Sequence, residues 1–214
     1  MTIPDDPWMQ LHSTIDPLRA HALGIVSVWW NHCERIHLRI FSQVLGIDRE
    51  KGWIVGHDIG DVSLSEKINE ALHLSQFDRE WRLIITNYLA CYDRCRQNRN
   101  VLSHFVAVLT DESNGELAAA GFIRVKGIKG TTTVIPSSID SLRRVAGEIH
   151  LFALYSWNLH KALDALRQGR RQELLKTFPI PELLVKPPPQ THPKPTRPPR
   201  SSRASRKARK SSPV

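Results

Sequence analysis

Apolar side chains recur every three or four residues from Ser138 to Arg167, and this pattern constrains the fold more than any other feature. The spacing is the heptad spacing with which helices pack in bundles and coiled coils. Two arrangements fit a long helix of this kind: an internal seam of a helical bundle, or a seam of which part forms a homodimer interface. The residues of the seam are Leu142, Val145, Ile149, Phe152, Ser156, Leu159, Leu163 and Leu166.

Two further long helices and one shorter helix follow from the same periodicity. Apolar stripes predict a helix from Leu18 to Leu45 and another from Asp78 into the 97–104 region. A shorter helix is expected to end at Leu74, with Ser63 or Ser65 as its N-cap. Ser63 is followed three residues later by a glutamate, which is the spacing of a capping box.

The segments between these helices are expected to be loops and a small hairpin. Glycines in 48–61 favour a loop. Two short strands are predicted on either side of Gly127–Gly130, which indicates a β-hairpin within 117–135. The predicted fold class is therefore mostly α. It is a bundle of three long helices plus a short helix, with a small β-hairpin insertion and a disordered basic C-terminal tail.

The excess of basic over acidic residues lies in the C-terminal segment of the chain. The net charge is +9, from 30 Lys and Arg against 21 Asp and Glu, and nine of the basic residues lie in 186–214 without an acidic one. That proline-rich segment has too few apolar side chains to offset its chain entropy, so we expect it to be disordered. We assign 1–17 to an irregular lead-in, 18–168 to the helical domain, 169–185 to a linker and 186–214 to the tail.

Several classes of protein do not fit the sequence. The acidic N-terminus lacks the apolar core of a signal peptide, and no run approaches the ~20 apolar residues of a membrane span. Three cysteines make no disulfide framework, so a cytoplasmic protein is expected. The glycine-rich nucleotide-binding motifs and the Gly-x-Ser-x-Gly motif of hydrolases do not occur in the sequence.

The tail is predicted to attach to RNA or another nucleic acid. Its cations can contact phosphates without reading sequence, because no aromatic side chain is available there for base stacking. The alternative is a solubility tail that binds any polyanion weakly, and no apolar or lipidation signal favours a membrane. The tail residues predicted to bind nucleic acid are Lys194, Arg197, Arg200, Arg203, Arg206, Lys207, Arg209 and Lys210.

The segment from Arg99 to His104 is the strongest candidate for chemistry. An imidazole can move protons near neutral pH, and a guanidinium can stabilise charge on a phosphate. Asn100 and His104 are four residues apart, so on a helix the amide can reach the imidazole and orient it. Arg99 and His104 lie about 140° apart around a helix, which indicates a site at a helix–helix seam or between two subunits.

The Arg-Asn-x-x-x-His motif at the end of a long helix in a small α-helical domain resembles the HEPN superfamily. The resemblance implies a dimerising helical bundle and, in active members, metal-independent RNA cleavage without a cofactor. It implies that Arg99 binds the scissile phosphate, that His104 assists 2′-hydroxyl attack or protonates the leaving 5′-oxygen, and that Asn100 orients His104. The products would be a 2′,3′-cyclic phosphate and a 5′-hydroxyl. Inactive RNA-binding relatives also exist, so enzymatic activity is left open.

Other interpretations of the same residues stay open. Arg99 and His104 can instead cap the C-terminal end of their helix. The whole chain can be a non-enzymatic helical interaction module whose tail attaches to nucleic acid. Cysteines and a histidine at i,i+4 spacing form a conceivable zinc set, although buried free cysteines are ordinary and no metal is predicted. That set is Cys33, His37, Cys91 and Cys95.

Overall fold

The structure, a computed structural model, describes residues 17–104, 106–108, 121–125, 132–136, 138–170 and 175–184. The described chain is mostly helical, as predicted, and three of its helices are long. The first helix begins at Pro17 rather than after it, because a proline at the first helical position needs no hydrogen-bond acceptor for its nitrogen. The helices are α1 (Pro17–Val44), α2 (Arg49–Gly56), α3 (Asp61–Leu74), α4 (Arg79–His104) and α5 (Ile139–Arg167).

Helix α2 occupies a segment that the sequence predicted as a loop. The Asp48 side chain caps it by accepting from the backbone N–H of Lys51 at 2.7 Å. A Cβ atom on Gly52 would lie 1.8 Å from Ser42 Oγ, and one on Gly56 would lie 2.3 Å from Leu38 Cδ1. The prediction was wrong because these glycines serve close helix–helix packing against α1 rather than chain flexibility.

Helix α3 begins earlier than its predicted cap. Its N-cap is Gly60, which has no side chain to accept a hydrogen bond, and Asp61 stands in the first turn. The proposed Ser63 capping box is therefore wrong, since Ser63 lies inside the helix. An acidic side chain in the first turn complements the helix dipole without a capping hydroxyl.

The core lies between α1 and α5, which pack along most of their length. Seven of the eight residues of the α5 seam are buried within this single chain, and Leu166 packs partly buried against the same core. This placement favours the internal-seam interpretation of the heptad pattern over a homodimer interface. Helix α4 adds the buried rings Tyr88 and Tyr92, which contact Phe152 of α5 at centroid distances of 5.4 and 6.4 Å.

Residues 175–184 lie along α4, in the segment predicted as a linker. The amide of Asn87 donates to the Phe178 carbonyl and accepts from its N–H, at 3.1 and 2.8 Å. Asn98, three helical turns further on, donates to Glu182 O at 2.8 Å and accepts from Leu184 N–H at 2.7 Å. Both asparagines thus hydrogen-bond an extended segment that has no secondary structure of its own. We call residues 175–184 the α4 strap.

Three short strands lie between α4 and α5. They are β1 (Val106–Val108), β2 (Gly121–Val125) and β3 (Thr132–Pro136), antiparallel in the order β1-β2-β3. The connection 126–131 and most of the segment before β2 lie outside the described residues. The predicted hairpin over 117–135 therefore stays a prediction. No described helix has both the length and the apolar character required to cross a membrane.

Candidate functional site

Arg99 lies in the last part of α4 and contacts two residues of α1. Its Nη2 donates to Glu34 Oε1 at 2.7 Å, and its guanidinium carbon lies 4.9 Å from the centre of the Trp30 ring. Trp30 Nε1 also donates to Glu34 Oε1, so one carboxylate oxygen holds both the indole and the guanidinium. Because Glu34 and Trp30 are one turn apart, α1 presents both groups to Arg99 on one face.

Asp61 adds a second carboxylate to this cluster from the start of α3. Its Oδ2 lies 4.0 Å from Arg99 Nη2, at the limit of an ion pair. The buried Tyr92 ring stands 5.0 Å from Trp30, and burial followed by the charge of Asp61 raises its pKa far above the usual range. We call Arg99, Glu34, Trp30 and Asp61 the Arg99 cluster.

The Arg99 cluster borders an open cleft of about 500 Å³ between α1, α2 and α3. Glu34 and Asp61 line this cleft together with Arg35, His57 and Trp53. The Arg99 side chain is 22% exposed, so it is partly shielded by the residues that hold it. The cleft is thus lined by two carboxylates, and Arg99 contacts both of them from outside the lining.

The three residues predicted to carry catalysis are not all described to the same extent. Asn100 is half-buried, and within the described chain its side chain makes no hydrogen bond. His104 is the last residue of α4, and its side chain lies outside the described residues. Because α4 continues to His104, Arg99 and His104 lie about 140° apart around one helix axis. The helix alone therefore does not bring the two groups together.

Sequence reasoning missed Glu34, Trp30 and Asp61. One signal was available for Glu34, which interrupts an otherwise apolar face of α1 immediately after Cys33. No spacing in the sequence connects Glu34 with Arg99, since they are 65 residues apart. The pairing depends on how α1 packs against α4. The predicted nucleic-acid-binding residues of the tail, from Lys194 to Lys210, lie outside the described residues.

His37 forms a second polar cluster, inside the core. It is fully buried, its Nδ1 lies 2.9 Å from Tyr88 Oη, and its Nε2 lies 3.0 Å from Ser65 Oγ. Burial lowers the pKa of His37 to about 3, so the ring is neutral at physiological pH. Both ring nitrogens are occupied by hydroxyl groups, which argues against His37 as a zinc ligand.

The cysteines are buried thiols. Burial raises the pKa of Cys33 to about 12 and that of Cys91 to about 11, which keeps both protonated and unreactive. Cys91 Sγ lies 3.7 Å from the Phe178 carbonyl of the α4 strap. In the described ranges, no group of three or more His, Cys, Asp and Glu side chains is arranged to hold a metal ion.

Comparisons with known proteins give no family for this chain. No family model matches the sequence, no curated protein matches it, and no solved structure matches the fold.

Proposed function

We propose that this protein is a HEPN-like, RNA-acting protein, and that its Arg99 and His104 serve an endoribonuclease site. The observation that supports Arg99 is its fixed position against Glu34, which lines the open cleft, with Trp30 also holding the guanidinium. A guanidinium carries five N–H donors, so the contact to Glu34 through Nη2 does not exhaust its capacity. A phosphate at the rim of the cleft can therefore be bound without breaking the Glu34 pair.

The proposed reaction cleaves the RNA backbone by internal transfer. The 2′-hydroxyl oxygen attacks the neighbouring phosphorus, and the bond from phosphorus to the 5′-oxygen breaks. An imidazole accepts the 2′-hydroxyl proton or gives a proton to the leaving 5′-oxygen, and an arginine stabilises the charge that develops on the phosphate. The products are a 2′,3′-cyclic phosphate and a 5′-hydroxyl. We assign to Asn100 the role of orienting the His104 side chain.

A second copy of the chain is part of this proposal. The positions of Arg99 and His104 lie about 140° apart around α4, so we infer that one helix does not direct both groups at one phosphate. A homodimer that opposes two α4 ends would place Arg99 of one protomer near His104 of its partner. The basic tail would add sequence-independent attachment to RNA.

The test is incubation of the full-length protein with a labelled mixed-sequence RNA in EDTA, beside His104→Ala. The matched control is His73→Ala, which removes an exposed histidine at the end of α3. We expect cyclic-phosphate ends from the native protein and the control, and none from His104→Ala. RNA left intact by the native protein, or cut equally by His104→Ala, would contradict the nuclease assignment.

A second candidate function is a non-enzymatic helical interaction module. The observation that favours it is that Arg99 is already paired with Glu34 inside one chain, as a purely structural arginine would be. In this case Arg99 joins α4 to α1, and nucleic acid is attached by the tail. Intact RNA, retarded in a gel by the native chain but not after replacement of the tail cations by glutamine, would support this alternative.

A further inference from the structure

A cluster of arginines lies on the face of the protein that extends from the Arg99 cluster to the end of α5. Arg35, Arg39, Arg49 and Trp53 line a cleft of about 300 Å³ between α1 and α2. Arg39 and Arg49 also line an adjoining cleft of about 250 Å³, which continues to Arg167 of α5. We call this surface the arginine groove.

Within the part of the chain that the structure describes, the cations of the arginine groove have no acidic partner in an ion pair. Among the described residues, no carboxylate forms an ion pair with Arg35, Arg39 or Arg49. Burial, and then the charges of Arg49 and Arg35, lowers the pKa of Arg39. The acidic residue that lines the groove is Asp164, and its carboxylate accepts from the Gln168 amide at 2.9 Å.

Two tryptophan rings stand exposed among these cations. Trp53 is 55% exposed and Trp157 is 39% exposed. Arg39 and Lys161 both lie over the Trp157 ring, at 5.4 and 5.3 Å from its centre. Exposed rings flanked by cations are the arrangement with which proteins bind single-stranded nucleic acid, since bases stack on the rings and phosphates meet the cations. An acidic peptide would use the cations alone.

The arginine groove is partly preformed. Arg167 donates from Nη1 to the Ile47 carbonyl at 2.8 Å and from Nη2 to the Gly46 carbonyl at 3.1 Å. These bonds tie the end of α5 to the connection between α1 and α2, so the walls of the groove are held together. Gly46 adopts a φ of 72° there, a conformation that glycine adopts without strain.

We propose that the arginine groove binds single-stranded RNA, with phosphates on the arginines and bases stacked on Trp53 and Trp157. The groove also connects with the Arg99 cluster, because Arg35 and Trp53 line both the groove and the 500 Å³ cleft beside Glu34 and Asp61. A strand bound in the groove would thus reach the cleft that Glu34 and Asp61 of the Arg99 cluster line. This inference rests on the proposed action on RNA and assigns to the folded domain a binding surface separate from the tail.

The experiment measures binding of a fluorescent oligouridine by anisotropy across a range of salt concentrations. It uses the full-length chain, native and with the nine tail cations replaced by glutamine. In both backgrounds we compare Arg35→Gln/Arg49→Gln with Arg79→Gln/Arg143→Gln, a control that removes two exposed arginines outside the groove. All four arginines are exposed, so the pairs are matched in charge and accessibility.

We expect the tail-neutralised protein to bind the oligouridine and the groove pair to weaken that binding about tenfold. The slope of log affinity against log salt should fall by about 1.4 in the groove pair, since about 0.7 is lost per phosphate contact on a single strand. Trp53→Ala should weaken binding about tenfold without changing the slope, because stacking releases no counterions. The control pair should change the affinity less than twofold.

Four outcomes would overturn the proposal, and they lead to three different conclusions. Equal binding by the groove pair and the control pair would refute the groove as an RNA-binding site, and so would loss of all binding on tail neutralisation. Neither result would contradict the proposed action on RNA. No binding by the native chain refutes both the groove and the proposed function. Binding that polyglutamate displaces as well as RNA does, with Trp53→Ala unaffected, would assign the groove to an acidic protein partner.

Discussion

The buried His37 makes the stability of this protein depend on pH. Its ring is fully buried between Tyr88 Oη and Ser65 Oγ and stacks on Tyr92 at 3.8 Å. Burial lowers its pKa to about 3 in the folded chain, whereas an unfolded histidine has a pKa near 6.5. Between these values the unfolded chain binds more protons than the folded chain. The contribution of His37 to the free energy of unfolding should therefore be constant above about pH 7 and fall as the pH drops below 6.5.

The magnitude follows from the two pKa values. Each pH unit between 6.5 and 3 costs about 1.4 kcal/mol, so the loss from pH 7.5 to pH 5.0 is about 2 kcal/mol for His37 alone. The assay is urea denaturation followed by circular dichroism at both pH values, for the native protein and His37→Gln. Other titrating groups contribute equally to both proteins and cancel in the difference between the two pH dependences.

We expect the native protein to lose about 2 kcal/mol more than His37→Gln between pH 7.5 and pH 5.0. The overall stability of the variant does not enter this comparison, since each protein is measured against itself. His73→Gln, which changes an exposed histidine, should keep the native pH dependence. If the native protein and His37→Gln lose the same free energy, the ring is not held neutral by burial and the reasoning fails.

Three further predictions concern packing and pairing. Gly52→Ala should lower the free energy of unfolding by about 1–3 kcal/mol in urea denaturation. Gly24→Ala, whose Cβ meets nothing within 4 Å, should raise the free energy of unfolding by about 0.5–1 kcal/mol. The reverse order would contradict the close approach of α2 to α1. Asn98→Ala should lower the free energy of unfolding by about 2–3 kcal/mol, since it leaves two backbone groups of the α4 strap without partners. Limited proteolysis should then cut within 175–184. Native-like resistance to the protease would argue against this anchor. A double-mutant cycle of Glu34→Gln and Arg99→Gln, in which each single change removes one charge of the pair, should give a coupling of about 0.5–1 kcal/mol, a modest value because both side chains are partly exposed. A coupling of zero would rule out a stabilising ion pair.

The long helices were predictable because their periodicity is local. The stripes of α1, α4 and α5 repeat within each segment, and burial of one face is sufficient to select a helix. The end of α5 was also predictable from the sequence, since Gly169 adopts the positive φ of 69° that terminates a helix. The predicted start at Ser138 also agrees with the structure, where its side chain caps α5 by accepting from Ser141 N–H at 3.1 Å.

Features that depend on contact between distant segments were not predictable. The glycines of α2 have the composition of a loop, and only the proximity of Ser42 and Leu38 explains why they lie in a helix. The α4 strap contains prolines and no periodic pattern, and its position depends on Asn87 and Asn98, which lie 91 and 86 residues from Phe178 and Leu184. Local sequence carries no signal for such pairings.

The Arg99 motif illustrates both sides of this division. Local periodicity was enough to predict that Arg99, Asn100 and His104 lie at the end of a long helix, because a helical repeat involves only neighbouring residues. The pairing of Arg99 with Glu34 beside the Trp30 ring, and the connection of the arginine groove with the cleft that Glu34 and Asp61 line, emerged only from the folded structure. The physical reason is that charge pairing and groove shape depend on the relative placement of helices, which is determined by the packing of their buried faces.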